Sequence, residues 1–223
     1  MARGAGRLIT IEGIDGTGKS TQGRKLVDFL RQRGHDALLT REPGGTEVGE
    51  RIRRLLLDCN SGHIAAPAEL FLYQAARAQH VQEVILPALQ RGQLVVADRF
   101  VDSSLAYQGY GRGLDLELIR TLNRAATGDL VPDLTLLLDL DPEAALARVG
   151  NRVQAGTDRW FFGLRDRLEK EGLEFYRRVR QGFLELARLE PERFRVIAAD
   201  LDPDAVFRRM GEIVTQWLEN ERI

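Results

Sequence analysis

The sequence has a single cysteine, Cys59, and that scarcity rules out an internal disulfide and fits a reducing compartment. No residue pattern around Cys59 offers a base to activate it, so it is read as a packing or surface residue. Long apolar runs are also missing. No stretch approaches the ~20 residues that span a bilayer. Met1 to Arg7 has neither the apolar core of a secretory signal nor a glycine at position 2 for myristoylation. An excess of charge of one sign is absent as well: 32 Lys and Arg against 33 Asp and Glu leave a net charge of −1. Such a balance argues against a dedicated nucleic-acid binder. The expectation is a soluble, cytoplasmic chain with no membrane and no nucleic-acid partner. Its 223 residues suit one domain, residues 1–223, with a sizeable core.

What is present is an alternation of short β-leaning apolar runs and helical patterns. Leu8–Glu12, Asp36–Arg41, Gln93–Asp98, Leu134–Leu140 and Phe194–Ala198 read as strands. Leu134–Leu138 is nearly continuous in apolar residues, as a strand covered on both faces should be. Helices are expected over Lys19–Arg33, Glu47–Asp58, Leu114–Ala126, Pro142–Arg148, Leu168–Leu189 and Pro203–Glu219. A longer one, Pro67–Arg91, should bend near Pro87. The fold class is therefore α/β, a parallel sheet with helices on both faces.

Gly13-Ile14-Asp15-Gly16-Thr17-Gly18-Lys19-Ser20 fits G-x-x-x-x-G-K-[ST] at every fixed position, after a strand and at a helix start. Glycines let backbone N–H groups wrap an anion, and the helix N-terminus adds partial positive charge. Lys19 can reach β- and γ-phosphates, the Ser20 hydroxyl can ligate Mg²⁺, and Thr21 completes the first helical turn. Together these residues form the expected triphosphate site. A carboxylate aimed into that cradle would repel the ligand. Asp15 should therefore point away, toward a sugar hydroxyl or hydrated metal, or else cap the turn.

Asp98-Arg99 ends a strand on the carboxyl edge from which the glycine loop also emerges, the edge where open α/β sheets bind ligands. There Arg99 can clamp phosphate oxygens, and Asp98 can hold Mg²⁺ or orient Arg99. Thr40–Thr46 is rich in turn formers and leaves the next strand on the same edge, either as a connector or as the wall of a second pocket. Gly150–Arg167, with Arg152, Arg159, Arg165, Arg167 and the run Trp160-Phe161-Phe162, has two readings. One is a solvated loop; the other is a lid whose arginines close over phosphates.

Gly13–Ser20, Thr40–Thr46, Ala75–His80, Asp98–Phe100, Ser103–Gly109, Asp166–Glu169 and Phe175–Ala187 occur in an order that resembles bacterial thymidylate kinase over about Leu8 to Trp217. The resemblance implies a P-loop kinase fold with a five-stranded parallel sheet and an arginine-rich lid. It implies transfer of the ATP γ-phosphate to thymidine 5′-monophosphate (dTMP), Mg²⁺ with ATP, and a homodimer. By the same likeness Arg77 hydrogen-bonds thymine and Tyr73 stacks on it, where the family more often carries Phe. Ser104 and Gln108 approach the base, Tyr107 crowds the 2′ position, and Asp15 sits near the 3′-hydroxyl or the metal. Pro43 and Arg53 lie at the acceptor phosphate, Arg148 stacks on adenine, and Glu169 binds metal through water or the nucleotide sugar. Arg152 is the lid arginine, with Arg159 as fallback because Thr157–Arg165 departs from the common short form.

The acceptor is a phosphate monoester with a second pKa of about 6, so no general base is required. The catalytic set expected from these arguments is Lys19, Arg99, Arg152 and Asp15. Three other readings remain open at this level. Another nucleoside monophosphate kinase would share the donor loop. A deoxynucleoside kinase would need a base for its hydroxyl substrate, with only Asp15 or Glu42 to serve. A nucleotide-dependent switch or binding module would share the loop too, although no Asn-Lys-x-Asp signature accompanies it.

Overall fold

The computed structural model describes residues 6–58, 62–154, 167–168 and 171–220, with backbone only for 152–154. The strands are β1 (Arg7–Glu12), β2 (Ala37–Arg41), β3 (Leu94–Asp98), β4 (Leu134–Asp139) and β5 (Phe194–Ala198). They form one parallel sheet in the order β2-β3-β1-β4-β5. The five strands and their flanking helices agree with the α/β reading.

The first helix, α1 (Lys19–Gln32), turns its buried Leu26, Val27 and Leu30 to one side of the sheet, where Ile9, Ile11 and Val96 face it. Strand alternation sends Leu8, Val95 and Ala97 to the opposite side, where they meet Val81, Ile85, Ala88 and Leu89. Burial on both faces explains why Leu94–Ala97 of β3 and Leu134–Leu138 of β4 read as almost unbroken apolar runs.

The remaining helices are α2 (Glu47–Leu57), α3 (Ala66–His80), α4 (Leu86–Gln90), α5 (Val101–Ser104), α6 (Leu116–Thr127), α7 (Pro142–Gln154), α8 (Leu173–Leu189) and α9 (Pro203–Asn220). Four start on side-chain caps: the Thr46 hydroxyl accepts from Gly49 N–H, the Asp115 carboxylate from Leu118 N–H, Asp141 from Glu143 N–H, and Asp202 from Asp204 and Ala205 N–H.

Three expectations change. The helix before β3 deforms over Val81–Ile85, where a wider turn sets Leu86 N–H on the Val81 carbonyl, one turn ahead of Pro87. Proline has no N–H to continue the ladder, and the widened turn absorbs the mismatch before the ring is reached. Residues 101–111, to which no helix was assigned, form α5 and a continuous wide-turn segment, Leu105–Gly111. Finally, α7 runs to Gln154, into the stretch read as loop or lid, so the Arg152 backbone is helical. Cys59, Arg159, Trp160–Phe162, Arg165 and Glu169 lie outside the described residues.

Candidate active site

β1 ends at Glu12 and α1 begins at Lys19, so the glycine loop crosses between them at the carboxyl edge of the sheet. Gly13 and Gly16 have φ of 136° and 88°. A Cβ on Gly13 would fall 2.4 Å from the Leu138 carbonyl oxygen, and one on Gly16 2.3 Å from that of Ala145. The loop is thus pressed against β4 and α7, and both positions need glycine for conformation and for space. Inside the loop, the Ile14 carbonyl accepts from Thr17 Oγ1 and Lys19 Nζ, each at 2.9 Å. No side chain caps the start of α1, which leaves its leading N–H groups for an anion.

Lys19 is buried, and burial, followed by the nearby Arg99 charge, brings its pKa down to about 8 despite Asp15, Asp98 and Glu12. Ser20 Oγ donates to Asp98 Oδ2 at 2.5 Å. Asp98 closes β3 beside Ile11 of β1 and Arg41 of β2, so three strand ends converge there.

Arg99 has φ 71°, a left-handed conformation that costs a non-glycine residue about 1 kcal/mol. The cost is met by bonds on every side. Its N–H donates to the Ile11 carbonyl at 3.1 Å. Its Nη1 reaches the Gly13 carbonyl at 2.9 Å and Ser103 Oγ at 3.1 Å. Its Nη2 reaches Asp15 Oδ1 at 2.5 Å and the Tyr107 hydroxyl at 3.0 Å. The other Asp15 oxygen accepts from Tyr107 at 2.9 Å and from Tyr176 at 3.3 Å. Asp15 therefore points across the cleft, away from the cradle, as the charge argument requires. Burial alone would raise its pKa, yet the Arg99 and Lys19 charges and the hydrogen bond from Tyr107 hold it well below the usual carboxylate range.

A second cluster lies behind Arg99. Arg77 is 1% exposed, with Nε on Glu42 Oε2 at 2.8 Å and Nη2 on the Phe100 carbonyl at 2.9 Å. Its Nη1 reaches Ser104 Oγ at 2.9 Å and Asn123 Oδ1 at 2.8 Å. Tyr73, one turn earlier on α3, packs half-buried against the core. Arg53 Nη1 donates to the Pro43 carbonyl at 2.8 Å, which brings α2 to the loop after β2.

Lys19, Ser20, Asp15, Asp98, Arg99 and Tyr107 are thus together, and Arg77 with Ser104 adjoins them through Phe100. Two expected site residues are engaged elsewhere. Gln108 is buried with its amide nitrogen on Glu69 Oε1 at 2.9 Å, and Arg148 Nη1 donates to the Ala199 carbonyl at 2.8 Å.

The thymidylate kinase family model matches residues 11–210. The thymidylate kinase of Desulfovibrio desulfuricans is 53% identical over 211 residues, covering 95% of this chain and 96% of the relative. The chain belongs to the thymidylate kinase family. The Synechococcus thymidylate kinase is 54% identical over 207 residues, 93% of each chain. The crystal structure of thymidylate kinase from Ehrlichia chaffeensis superposes with a TM-score of 0.74 at 34% identity, covering 94% of this chain and 98% of that one.

Within this family member, sequence reasoning gave no role to Glu12, the one acidic residue of β1. Fully buried, it accepts from Phe100 N–H at 2.7 Å and from Ser103 Oγ at 2.6 Å. It thereby fixes the turn that carries Arg99. Burial, then the Asp102 charge, pushes its pKa from 4.5 up to about 8. A carboxyl raised in the fold binds its proton more tightly there than in the unfolded chain. Its contribution is fully present below the unfolded pKa and is lost as pH rises toward 8. Melting curves of wild type and Glu12→Gln between pH 5 and 8 should therefore converge or cross, wild type losing more with rising pH; parallel curves would refute the raised pKa.

Proposed function

We propose that the chain transfers the γ-phosphate of ATP to the 5′-phosphate of dTMP, giving the diphosphate, and that the two substrates meet at Arg99. The observation that carries this reading is the placement of that guanidinium. One face bonds the donor loop at Gly13, and the other bonds Asp15 and Tyr107, where a nucleoside sugar would lie. Membership of the family supports dTMP as the acceptor, and Arg77 and Ser104, buried and bonded to each other, would have to give up internal bonds to meet a pyrimidine edge.

The chemistry asked of the protein is positioning and charge neutralisation. The acceptor phosphate is already largely dianionic near pH 7 and needs no proton removed. Lys19 leaves the Ile14 carbonyl for phosphate oxygens, whose charge favours its protonated form. Arg99 offers planar paired donors to oxygens of both substrates. Tyr107, held as a neutral phenol by burial, fills the space beside the sugar. Arg152 and Arg159 would add cations from the lid and Glu169 would hold a metal-bound water, whereas Arg167 is bonded to Glu69 and the Leu56 carbonyl, and Arg148 would have to leave the Ala199 carbonyl to approach adenine.

Ser20 and Asp98 are hard oxygen donors in hydrogen-bond contact at the helix start. Among the described residues no group of three or more His, Cys, Asp or Glu gathers as a metal cluster. That donor set suits Mg²⁺, which takes one or two protein oxygens and completes its shell with phosphates and water. Held by Ser20 and Asp98, Mg²⁺ would supply positive charge beside the phosphates.

The chain is read as a single kinase domain that works as a homodimer in the cytoplasm. Helices α2, α3 and α6 pack side by side, and their outer surface exposes Val48, Leu55, Leu118 and Phe71, the last 56% exposed. That apolar surface suits a second copy of the chain. No helix among the described residues is long and apolar enough to cross a membrane.

The test is a substrate panel. With MgATP, ADP release on dTMP should exceed that on uridine, guanosine and adenosine monophosphates by at least about a hundredfold, the discrimination that buried polar readout supplies. Equal or faster turnover of any of these would transfer the assignment to another monophosphate.

A further inference from the structure

His80, the last residue of α3, is completely buried and has no part in the chemistry above. Its Nδ1 lies 3.1 Å from Glu42 Oε1, and its Nε2 lies 2.5 Å from Thr40 Oγ1. A carboxylate only accepts, so Nδ1 carries the proton; in the neutral ring Nε2 then accepts the Thr40 hydroxyl. Thr40 and Glu42 flank Arg41 at the end of β2, so one imidazole spans the exit of that strand.

The loop beyond closes on the same ring. A Cβ on Gly45, where φ is 79°, would fall 2.6 Å from His80 Cδ2, so only a bare backbone can lie there. Glu42 is gripped from two sides by one face of α3. His80 and Arg77 are three residues apart on that helix, and they bond the two different oxygens of the carboxylate. The next residue, Pro43, receives Arg53. The backbone of this loop has further ties, Glu42 N–H on the Asp98 carbonyl at 2.9 Å and Gly45 N–H on Glu50 Oε1 at 3.1 Å, but the Glu42 side chain is set by Arg77 and His80, and His80 links it to Thr40 of β2.

We propose that His80 is a positioning residue of the acceptor site: it fixes Glu42, and through Glu42 the guanidinium of Arg77 and the Pro43–Arg53 pair. This rests on the reading that Arg77 and Arg53 face the nucleoside monophosphate. A residue that only stabilised the fold would affect both substrates alike. A positioning residue on this loop acts on the acceptor alone, because the ATP loop packs elsewhere, against the backbones of Leu138 and Ala145.

The test compares His80→Phe, which keeps a ring and loses both bonds, with His80→Asn, which keeps a donor toward Glu42. Equilibrium titration with dTMP and separately with ATP reads the two sites. His80→Phe should weaken dTMP by roughly tenfold to a hundredfold, as for loss of a hydrogen bond to a charged group, and leave ATP within about twofold. His80→Asn should recover most of the loss. In a cycle with Arg77→Lys, the double variant should lose less than the product of the single losses, because both act through one guanidinium. Unchanged dTMP affinity, equal losses for dTMP and ATP, or multiplicative losses in the cycle would each overturn the proposal. Should His80→Phe not fold, His80→Gln, which reaches toward Thr40 and loses the donor toward Glu42, takes its place beside His80→Asn, and wild-type dTMP affinity in His80→Gln overturns the proposal. Normal dTMP binding by Arg77→Lys would instead overturn the acceptor-site reading on which the proposal rests.

Discussion

Lys19→Met is expected to cut turnover at least about a thousandfold while leaving the protein as stable as wild type or more so. The reasoning begins in the loop's composition. Among its variable positions, Ile14, Asp15, Gly16 and Thr17, none is basic, so Lys19 is the one side-chain cation that Gly13–Ser20 contributes. The structure then shows what this cation costs. It is buried, and burial and Arg99 together bring its pKa from 10.5 down to about 8. A lysine depressed in the fold binds its proton less tightly there than in the unfolded chain. Stability from this group therefore rises as pH climbs from about 8 to 10.5, and at neutral pH the charge works against folding. Methionine preserves the stem and removes the charge. Thermal melts at pH 7 and ADP release with MgATP and dTMP together decide the matter. Turnover within tenfold of wild type would refute the role, and a large fall in melting temperature would trace the loss to unfolding.

That combination of a visible motif and an invisible cost runs through the whole molecule. The glycine loop was legible because its signal is local: Gly13 and Gly16 must take positive φ and lie against other backbone, and no other residue satisfies both demands. The strands were legible because burial on two faces removes polar residues from Leu134–Leu138 almost entirely. Residues 101–111 were not, since wide turns shift the repeat away from 3.6 residues and Ser103, Ser104, Gly109 and Gly111 weaken helical propensity. Glu12 ends the strand Leu8–Glu12 and His80 the motif Ala75–His80, and neither announces a role. Their partners lie far away in the chain, Ser103 and Phe100 for one, Thr40 and Glu42 for the other, and no spacing rule connects them. Arg99 was placed correctly on the sheet edge, but its left-handed backbone is held by β1 and appears only once the strands are paired.

Arg99→Ala should be the more damaging replacement, because it removes a catalytic cation and also strands a carboxylate. On the chemical side the loss is at least about a thousandfold in turnover, the scale of an arginine that stabilises phosphoryl transfer. Arg99→Lys should recover little of this. An ammonium cannot keep Gly13, Ser103, Asp15 and Tyr107 bonded at once, as the guanidinium does through its two terminal nitrogens. On the stability side, Asp15 would lose the partner that most lowers its pKa. A fully buried pair broken in this way costs 3–5 kcal/mol. The Asp15 side chain keeps 24% exposure and a hydrogen bond from Tyr107, so roughly 2 kcal/mol is the expected figure after solvent screening. The two effects separate in the double variant. Arg99→Ala with Asp15→Asn removes the stranded charge, so denaturant midpoints should return toward wild type while ADP release stays at the level of Arg99→Ala. Recovery of turnover along with stability would mean that Arg99 acts only by holding Asp15 and the loop in place, and that the phosphoryl group passes without it.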